Sequence, residues 1–238
     1  MPELNQQSTL KTYLCKVKNI LLVAATAGEI SPLLRHFNAY EELIGKPIEI
    51  RNENFSLTVL LTGVGMVNTT YHVTKHIVNF PPHIALNAGI AGSFSEKYDK
   101  GSVVRVREDF FSEMGAEDGD NFITIEELGL GTSMVKDNSG NQITSAALSC
   151  LPFVRAITVN RVHGNDKNIQ LLHARLQPEI ETMEGAAFSL VCMKENIPSI
   201  QIRSVSNKIE RRNRSSWDIP LAIDRLNQFL LKLIPELV

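Results

Sequence analysis

The strongest chemical signal is a carboxylate set among apolar residues. Glu184 lies in Glu181-Thr182-Met183-Glu184-Gly185-Ala186-Ala187, directly ahead of the apolar run Phe188–Met193. A helix that starts so apolar is buried, and an acid at its head needs strong partners. Sugar hydroxyls would serve. So would the positive end of the helix's own dipole, and the residues alone leave both readings open.

Three other clusters invite chemistry. Gly63-Val64-Gly65-Met66-Val67-Asn68 follows a strand and opens a helix, the setting of a dinucleotide loop. The third glycine is missing, and no acid ends the next strand to hold a ribose, so a tight turn at a helix N-terminus is the better reading. His72 and His76 are four apart on one helix face, yet no third ligand is evident, which argues against metal catalysis. Glu210-Arg211-Arg212-Asn213-Arg214-Ser215-Ser216-Trp217-Asp218 sets three arginines beside the only tryptophan. It reads equally as a solvated loop and as a site that recognises a substrate group.

The elements that must position these residues alternate. Asn19–Ala25 is an apolar run expected of a strand buried on both faces. Ile30, Leu33, Leu34 and Phe37 give a short helix over 29–37. Leu57–Leu61 predicts a strand, and Val67, Tyr71, Thr74 and Val78 predict the helix after it. Ile84–Asn87 reads as a strand running into a glycine turn, Gly89-Ile90-Ala91-Gly92. Further strands are expected at Val103–Val106, Ile157–Val159 and Ile200–Val205, and helices at Met183–Lys194 and Ala222–Leu233. This order implies an α/β protein, a three-layer αβα with a central mixed sheet and ligands bound at strand ends. The polar stretch 108–131 is expected as an ordered excursion near a site or an interface. One domain over 1–238 is the simplest organisation, with 1–18 a peripheral or poorly ordered extension.

Composition narrows the class. The 238 residues are 43% hydrophobic and 21% charged with a formal net charge of −2. That is ordinary globular composition without the basic face a nucleic-acid or anionic-membrane binder needs. No stretch approaches the roughly 20 apolar residues of a spanning helix, and the polar start lacks a signal peptide's apolar segment. Cys15, Cys150 and Cys192 are odd in number and scattered, which suits a reducing compartment and not a disulfide framework. The expectation is a cytoplasmic protein with no membrane or nucleic-acid partner.

Five segments taken in order resemble the nucleoside phosphorylase and nucleosidase superfamily, in which the 5′-methylthioadenosine/S-adenosylhomocysteine nucleosidases show a corresponding series of motifs. They are 24–29, Gly63–Asn68, Asn87–Gly92, Met183–Ala187 and Arg203-Ser204-Val205-Ser206-Asn207. The resemblance implies that Glu29 activates the water attacking the anomeric carbon. It implies that Met183 and Glu184 pack against and hydrogen-bond the ribose, and that Ala91 and Gly92 line the purine site. Ile90, Ser206, Thr182, Arg214 and Trp217 are carried along as substrate-binding positions, the choice among the arginines staying open. No metal or organic cofactor is implied, and relatives of this fold commonly form homodimers.

Two positions depart from the adenine-nucleoside pattern: Asn207 stands where those enzymes have aspartate, and Ile90 where they commonly have serine. An asparagine carbonyl can hold a proton on N7 while its NH₂ donates to a 6-oxo group. Against adenine that NH₂ would face another NH₂, a penalty of roughly 1–3 kcal/mol per unpaired buried group. The residues therefore favour a 6-oxopurine. Gly115–Asp120, Thr158-Val159-Asn160 and Ser206-Asn207 with Arg211–Arg214 and Trp217 resemble the futalosine-hydrolase branch, whose substrate is an inosine-like nucleoside with a benzoate-bearing 5′ extension. A carboxylate attracts arginine and an aromatic ring packs on an indole or a guanidinium. The resemblance implies hydrolytic release of hypoxanthine in an alternative route to menaquinone. Rivals are adenine-nucleoside hydrolysis, phosphorolysis and a binding protein without turnover. The proton that N7 must receive has no assigned source, since an amide is a poor acid.

Overall fold

The apolar run after residue 18 becomes β1 (Lys18–Ala24), and its alternation sets the layers. Ile20, Leu22 and Ala24 point into one core with Leu33, Leu226 and Leu230, while Leu21 and Val23 point into a second with Val73, Ile77 and Phe188. A strand buried on both faces is what a continuous apolar run encodes. The computed structural model describes residues 18–39, 43–53, 55–140 and 143–237, so the expected extension over 1–18 lies outside the described residues, Cys15 with it, except for Lys18, which begins β1.

Along the chain follow α1 (Ala27–His36), β2 (Pro47–Arg51), β3 (Phe55–Leu61), α2 (Met66–Asn79), β4 (Ile84–Ser93) and β5 (Val103–Phe111). Then come the hairpin β6 (Gly115–Asp118) and β7 (Asn121–Thr124), β8 (Met134–Lys136), α3 (Ala146–Ser149), β9 (Phe153–Thr158) and α4 (Asp166–Leu176). The chain closes with β10 (Ile180–Thr182), α5 (Gly185–Lys194), β11 (Ser199–Lys208) and α6 (Ile219–Glu236). The central sheet is mixed and runs β10-β9-β5-β11-β4-β1-β3-β2, with β8 on β5. β1, β3, β4 and β11 are mutually parallel, whereas β5 runs antiparallel to β11. β10 pairs with β9 and also with the end of β4, so five strands curl into a ring beside the flatter half of the sheet. α1, α3 and α6 cover one face, α2 and α5 the other.

The structure alters several expectations. Gly89–Gly92 is not a turn: it continues β4, because Gly89, Ile90, Ala91 and Gly92 each have a partner on β11. α2 forms as expected but with the opposite face inward. Thr69, Val73, His76 and Ile77 are buried, while Val67, Tyr71 and Val78 are exposed. Both faces carry apolar residues at helical spacing, so periodicity could not choose between them. The stretch 108–131 supplies the end of β5 and the β6–β7 hairpin, where the Arg175 guanidinium lies 3.7 Å from the Phe122 ring centre.

Candidate active site

Glu29 owes its position to a break in its own helix. Thr26 caps α1, and the Glu29 carboxylate accepts from the Thr26 N–H at 3.0 Å and from its hydroxyl at 3.3 Å. This is the return half of a capping box. Ile30 then leaves helical geometry ahead of Pro32. The Asn227 amide from α6 bridges the kink: its Oδ1 accepts from Leu33 N at 3.0 Å and its Nδ2 donates to Glu29 O at 2.9 Å. A buried side chain thus spans this turn and ties Glu29 to α6.

The carboxylate reaches β4, where its Oε1 accepts from the Ile90 N–H at 3.1 Å. A Cβ on Gly89 would stand 2.7 Å from that oxygen and 3.0 Å from Arg203 Nη1, so glycine here leaves room for the ends of both side chains. Arg203, 1% exposed on β11, donates to Asn87 Oδ1 on β4, and Asn87 in turn donates to Val23 O at 3.1 Å. Burial holds the Glu29 pKa above the usual 4.5, the neighbouring Glu184 charge adds to this, and the Ile90 N–H and Arg203 oppose it. Burial likewise pulls the Arg203 pKa down, against the charges of Glu184, Glu29 and Asp109. Three acids thus share one buried cation. Such a carboxyl is a stronger base than an exposed glutamate.

Glu184 stands at the head of α5 but makes no capping bond to that helix. Its Oε1 instead accepts from the Gly65 N–H at 2.9 Å, and Gly65 has a φ of +97°, so the Gly63–Gly65 turn serves to present a backbone donor. Beneath the helix head, the Thr158 hydroxyl donates to Asp109 Oδ1 at 2.9 Å and accepts from Ala186 N at 2.8 Å. Gln201 donates to the other Asp109 oxygen at 3.1 Å, and Thr182 lies 3.2 Å from Thr158. Thr182, carried as a substrate-binding position, is buried in this supporting network. Burial pushes Asp109 up to about 6.

Further along the same strand pair lies a cavity of about 120 Å³, lined by Gly92, Val162, His163, Gly164, Glu181, Asn207 and residues from Lys208 to Trp217. Whole small-molecule sites take roughly 300–1,000 Å³, so this is one compartment. Asn207 stands opposite Gly92 across a bulge after Val205. Its Oδ1 accepts from Ser206 Oγ and its Nδ2 donates to Lys208 O, both at 2.8 Å. One lone pair and one N–H remain for a ligand. Ala91 is buried and accepts from Ser206 at 3.2 Å, and Met183 packs near Ile157 and Val159. Trp217 lines the cavity with Arg212, whose guanidinium lies 5.2 Å from the indole centre. Arg214 sits in an exposed 3₁₀ turn, Arg214–Ser216, outside the lining. The arginine beside the tryptophan is Arg212, two residues away from the expected one. A larger depression of about 340 Å³ opens around Arg107, Glu108, Phe153 and Glu179 and contains none of the motif residues.

Sequence reasoning missed Arg203, Asn227, His163 and Glu181. A signal existed for two of them. Arg203 interrupts an apolar strand, and Asn227 follows Leu226 on the buried face that Leu226, Leu230 and Leu233 mark out. Buried polar residues in apolar elements need partners.

Comparison with known proteins agrees with this fold. Residues 19–235 match the family described as the phosphorylase superfamily. The chain is 26% identical over 226 residues to futalosine hydrolase of Streptomyces coelicolor, covering 92% of this chain and 96% of that one. It is 26% identical over 197 residues to 5′-methylthioadenosine/S-adenosylhomocysteine nucleosidase of Lysinibacillus sphaericus, covering 78% and 84%. The solved structure of futalosine hydrolase of Helicobacter pylori superimposes with a TM-score of 0.79 at 20% identity, over 92% of this chain and 98% of that one.

Proposed function

This chain belongs to the phosphorylase superfamily, and within it we propose that the protein hydrolyses the N-glycosidic bond of futalosine, releasing hypoxanthine and dehypoxanthine futalosine on the route to menaquinone. The observation that carries the reading is the placement of two carboxylates, Glu29 on the Ile90 N–H of β4 and Glu184 on the Gly65 N–H, along the strand pair whose further end lines a cavity with the Asn207 amide. Glu29 takes a proton from the attacking water, and its raised pKa suits that task. Glu184 holds ribose hydroxyls while the sugar becomes oxocarbenium-like. Asn207 offers its free N–H to O6 and its free lone pair to a proton on N7. The likeness to a futalosine hydrolase along 92% of the chain supports this substrate.

Water is favoured over phosphate as nucleophile. Arg203 is the cation felt at this end, and the charges of Glu29, Glu184 and Asp109 already act on it. An incoming phosphate dianion would meet net negative charge. Adenine-nucleoside hydrolysis is supported by the Lysinibacillus relative and disfavoured by Asn207. Base release from futalosine, inosine and methylthioadenosine, with and without phosphate, tests the assignment. Faster release from methylthioadenosine, or dependence on phosphate, would overturn it.

We further propose a homo-oligomer, supported by the apolar face of α2 left exposed at Val67, Tyr71 and Val78. Light scattering that reports a monomer at working concentration would remove it. Cytoplasmic location belongs to the same reading, supported by the free thiols Cys150 and Cys192. No helix among the described residues is long and apolar enough to cross a membrane.

A further inference from the structure

The cavity beside Asn207 contains a pair of side chains that the reaction above leaves without a task. His163 lies on the link between β9 and α4, Glu181 on β10, and both line the cavity. The Glu181 carboxylate grips His163 at two points. Its Oε1 accepts from the His163 backbone N–H at 3.0 Å, and its Oε2 pairs with the ring Nδ1. Glu181 is 5% exposed, and a carboxylate so far from water is retained only where strong donors meet it. With Nδ1 committed, Nε2 is the ring nitrogen left over, and it has no partner among the described residues. Register brings the pair to the amide: Glu181 stands opposite Gly92 on β4, and Gly92 opposite Asn207 on β11.

A departing purine carries away the electron pair of its broken bond and needs a proton at N7 to do so readily. Asn207 can hold that proton but cannot supply it, because an amide N–H is not acidic enough. We propose that His163, held by Glu181, is the proton donor to the departing base. As the C1′–N9 bond breaks and its electrons pass into the ring, the His163 imidazolium keeps its Nδ1–H on Glu181, passes its Nε2 proton to N7 and is left as the neutral imidazole. The water oxygen bonds to C1′ and the water's proton goes to Glu29, which releases it to solvent as solvent returns a proton to the imidazole. One water is consumed and the protons balance. His163 is then a catalytic residue that meets the base. Glu181 is a positioning residue, fixing which ring nitrogen is free.

The inference rests on the nucleosidase reading, and the experiment separates the two. Turnover is measured on futalosine and on its N7-methyl counterpart, whose base is already cationic and leaves without a proton. His163→Asn keeps an N–H for Glu181 and removes the acid; His163→Gln places an amide near Nε2. Both are expected to lower kcat/KM on futalosine by about 10²–10⁴-fold, with little change on the methylated substrate. Glu181→Gln should show the same selectivity with a smaller loss, roughly tenfold. Equal loss on both substrates in both His163 variants, as from a disordered pocket, overturns the proposal, and so does loss on neither. A wild-type protein that releases base from no purine nucleoside overturns the nucleosidase reading itself.

Discussion

The two ends of the β4–β11 strand pair are built on different principles. At the Gly89–Arg203 end, every polar group comes from a regular element or its cap, and three acids crowd one buried cation. At the Gly92–Asn207 end, the cavity is lined largely by connecting segments, 162–164 and 208–217, around two strand ends. The first end is rigid and closed by helix caps, an inserted amide and a glycine that admits two side chains. The second retains unspent hydrogen-bonding capacity on Asn207 and His163. Bond-breaking chemistry asks for the first arrangement, since a preorganised charge needs no rearrangement in the transition state. Recognition of one base among several asks for the second.

The largest effect should come from the closed end. Glu29→Gln is expected to lower kcat by 10²–10⁴-fold while substrate still binds, because base activation alone is lost; single-turnover kinetics and a binding titration measure the two separately. Near-normal turnover would shift the base to Glu184. The raised pKa of Glu29 also has a direction in pH: the working form is ionised, so kcat/KM should fall on acidification at a pH above the ordinary 4.5. An acid limb at or below that value would break the picture of a buried, acid-crowded carboxyl.

The open end should answer in selectivity. Asn207→Asp removes the N–H that meets O6 and adds an acceptor for a 6-amino group, so the futalosine-to-methylthioadenosine ratio of kcat/KM should drop roughly 10–100-fold. Parallel losses on both substrates would reduce Asn207 to the structural role its bonds to Ser206 and Lys208 already give it. Asn227→Ala sharpens the comparison from the closed side. It leaves Leu33 N and Glu29 O without their bridge, at about 1–3 kcal/mol in stability. A loss of kcat of about tenfold should follow as Glu29 shifts. Thermal melting read against kcat tests it, and full activity with lowered stability would separate the bridge from catalysis.

The smallest effect on turnover is expected under α5, where the readout is stability. Asp109 holds its proton to about pH 6 when folded, against 3.8 for an ordinary aspartate. The native state therefore binds this proton more tightly than the unfolded chain does, and stability falls as pH rises from about 4 to 6. Asp109→Asn stays neutral throughout and should flatten that slope, which is worth on the order of 3 kcal/mol. Urea midpoints between pH 4 and 7 measure it. A slope unchanged by the substitution would assign the pH dependence elsewhere.

Much of the closed end was legible in the residues. β1 was given by the continuous apolar run Ile20–Ala25, α1 by Ile30, Leu33 and Leu34, and α5 by its largely apolar run. The nucleosidase expectation rests on the resemblance of five ordered segments to a known superfamily, while local periodicity gives the elements that hold them. The sequence misled where two structures satisfy one pattern. Gly89–Gly92 suits a turn as well as a strand that admits side chains close to its backbone. α2 has two apolar faces, and its neighbours alone decide which turns inward.

What the sequence by itself determined is the set of elements, the order of the motifs and the chemistry available to each side chain, because these depend on neighbours a few residues apart. What only the tertiary structure decided is which groups share a charge and which share a cavity. Arg203 meets Asn87 across 116 residues, and Asn227 reaches the Glu29 carbonyl across 198. His163 finds Glu181 only because β10 closes the strand ring against β4. Such contacts follow from how the strands are ordered and layered, and a pattern within one segment has no means of recording that.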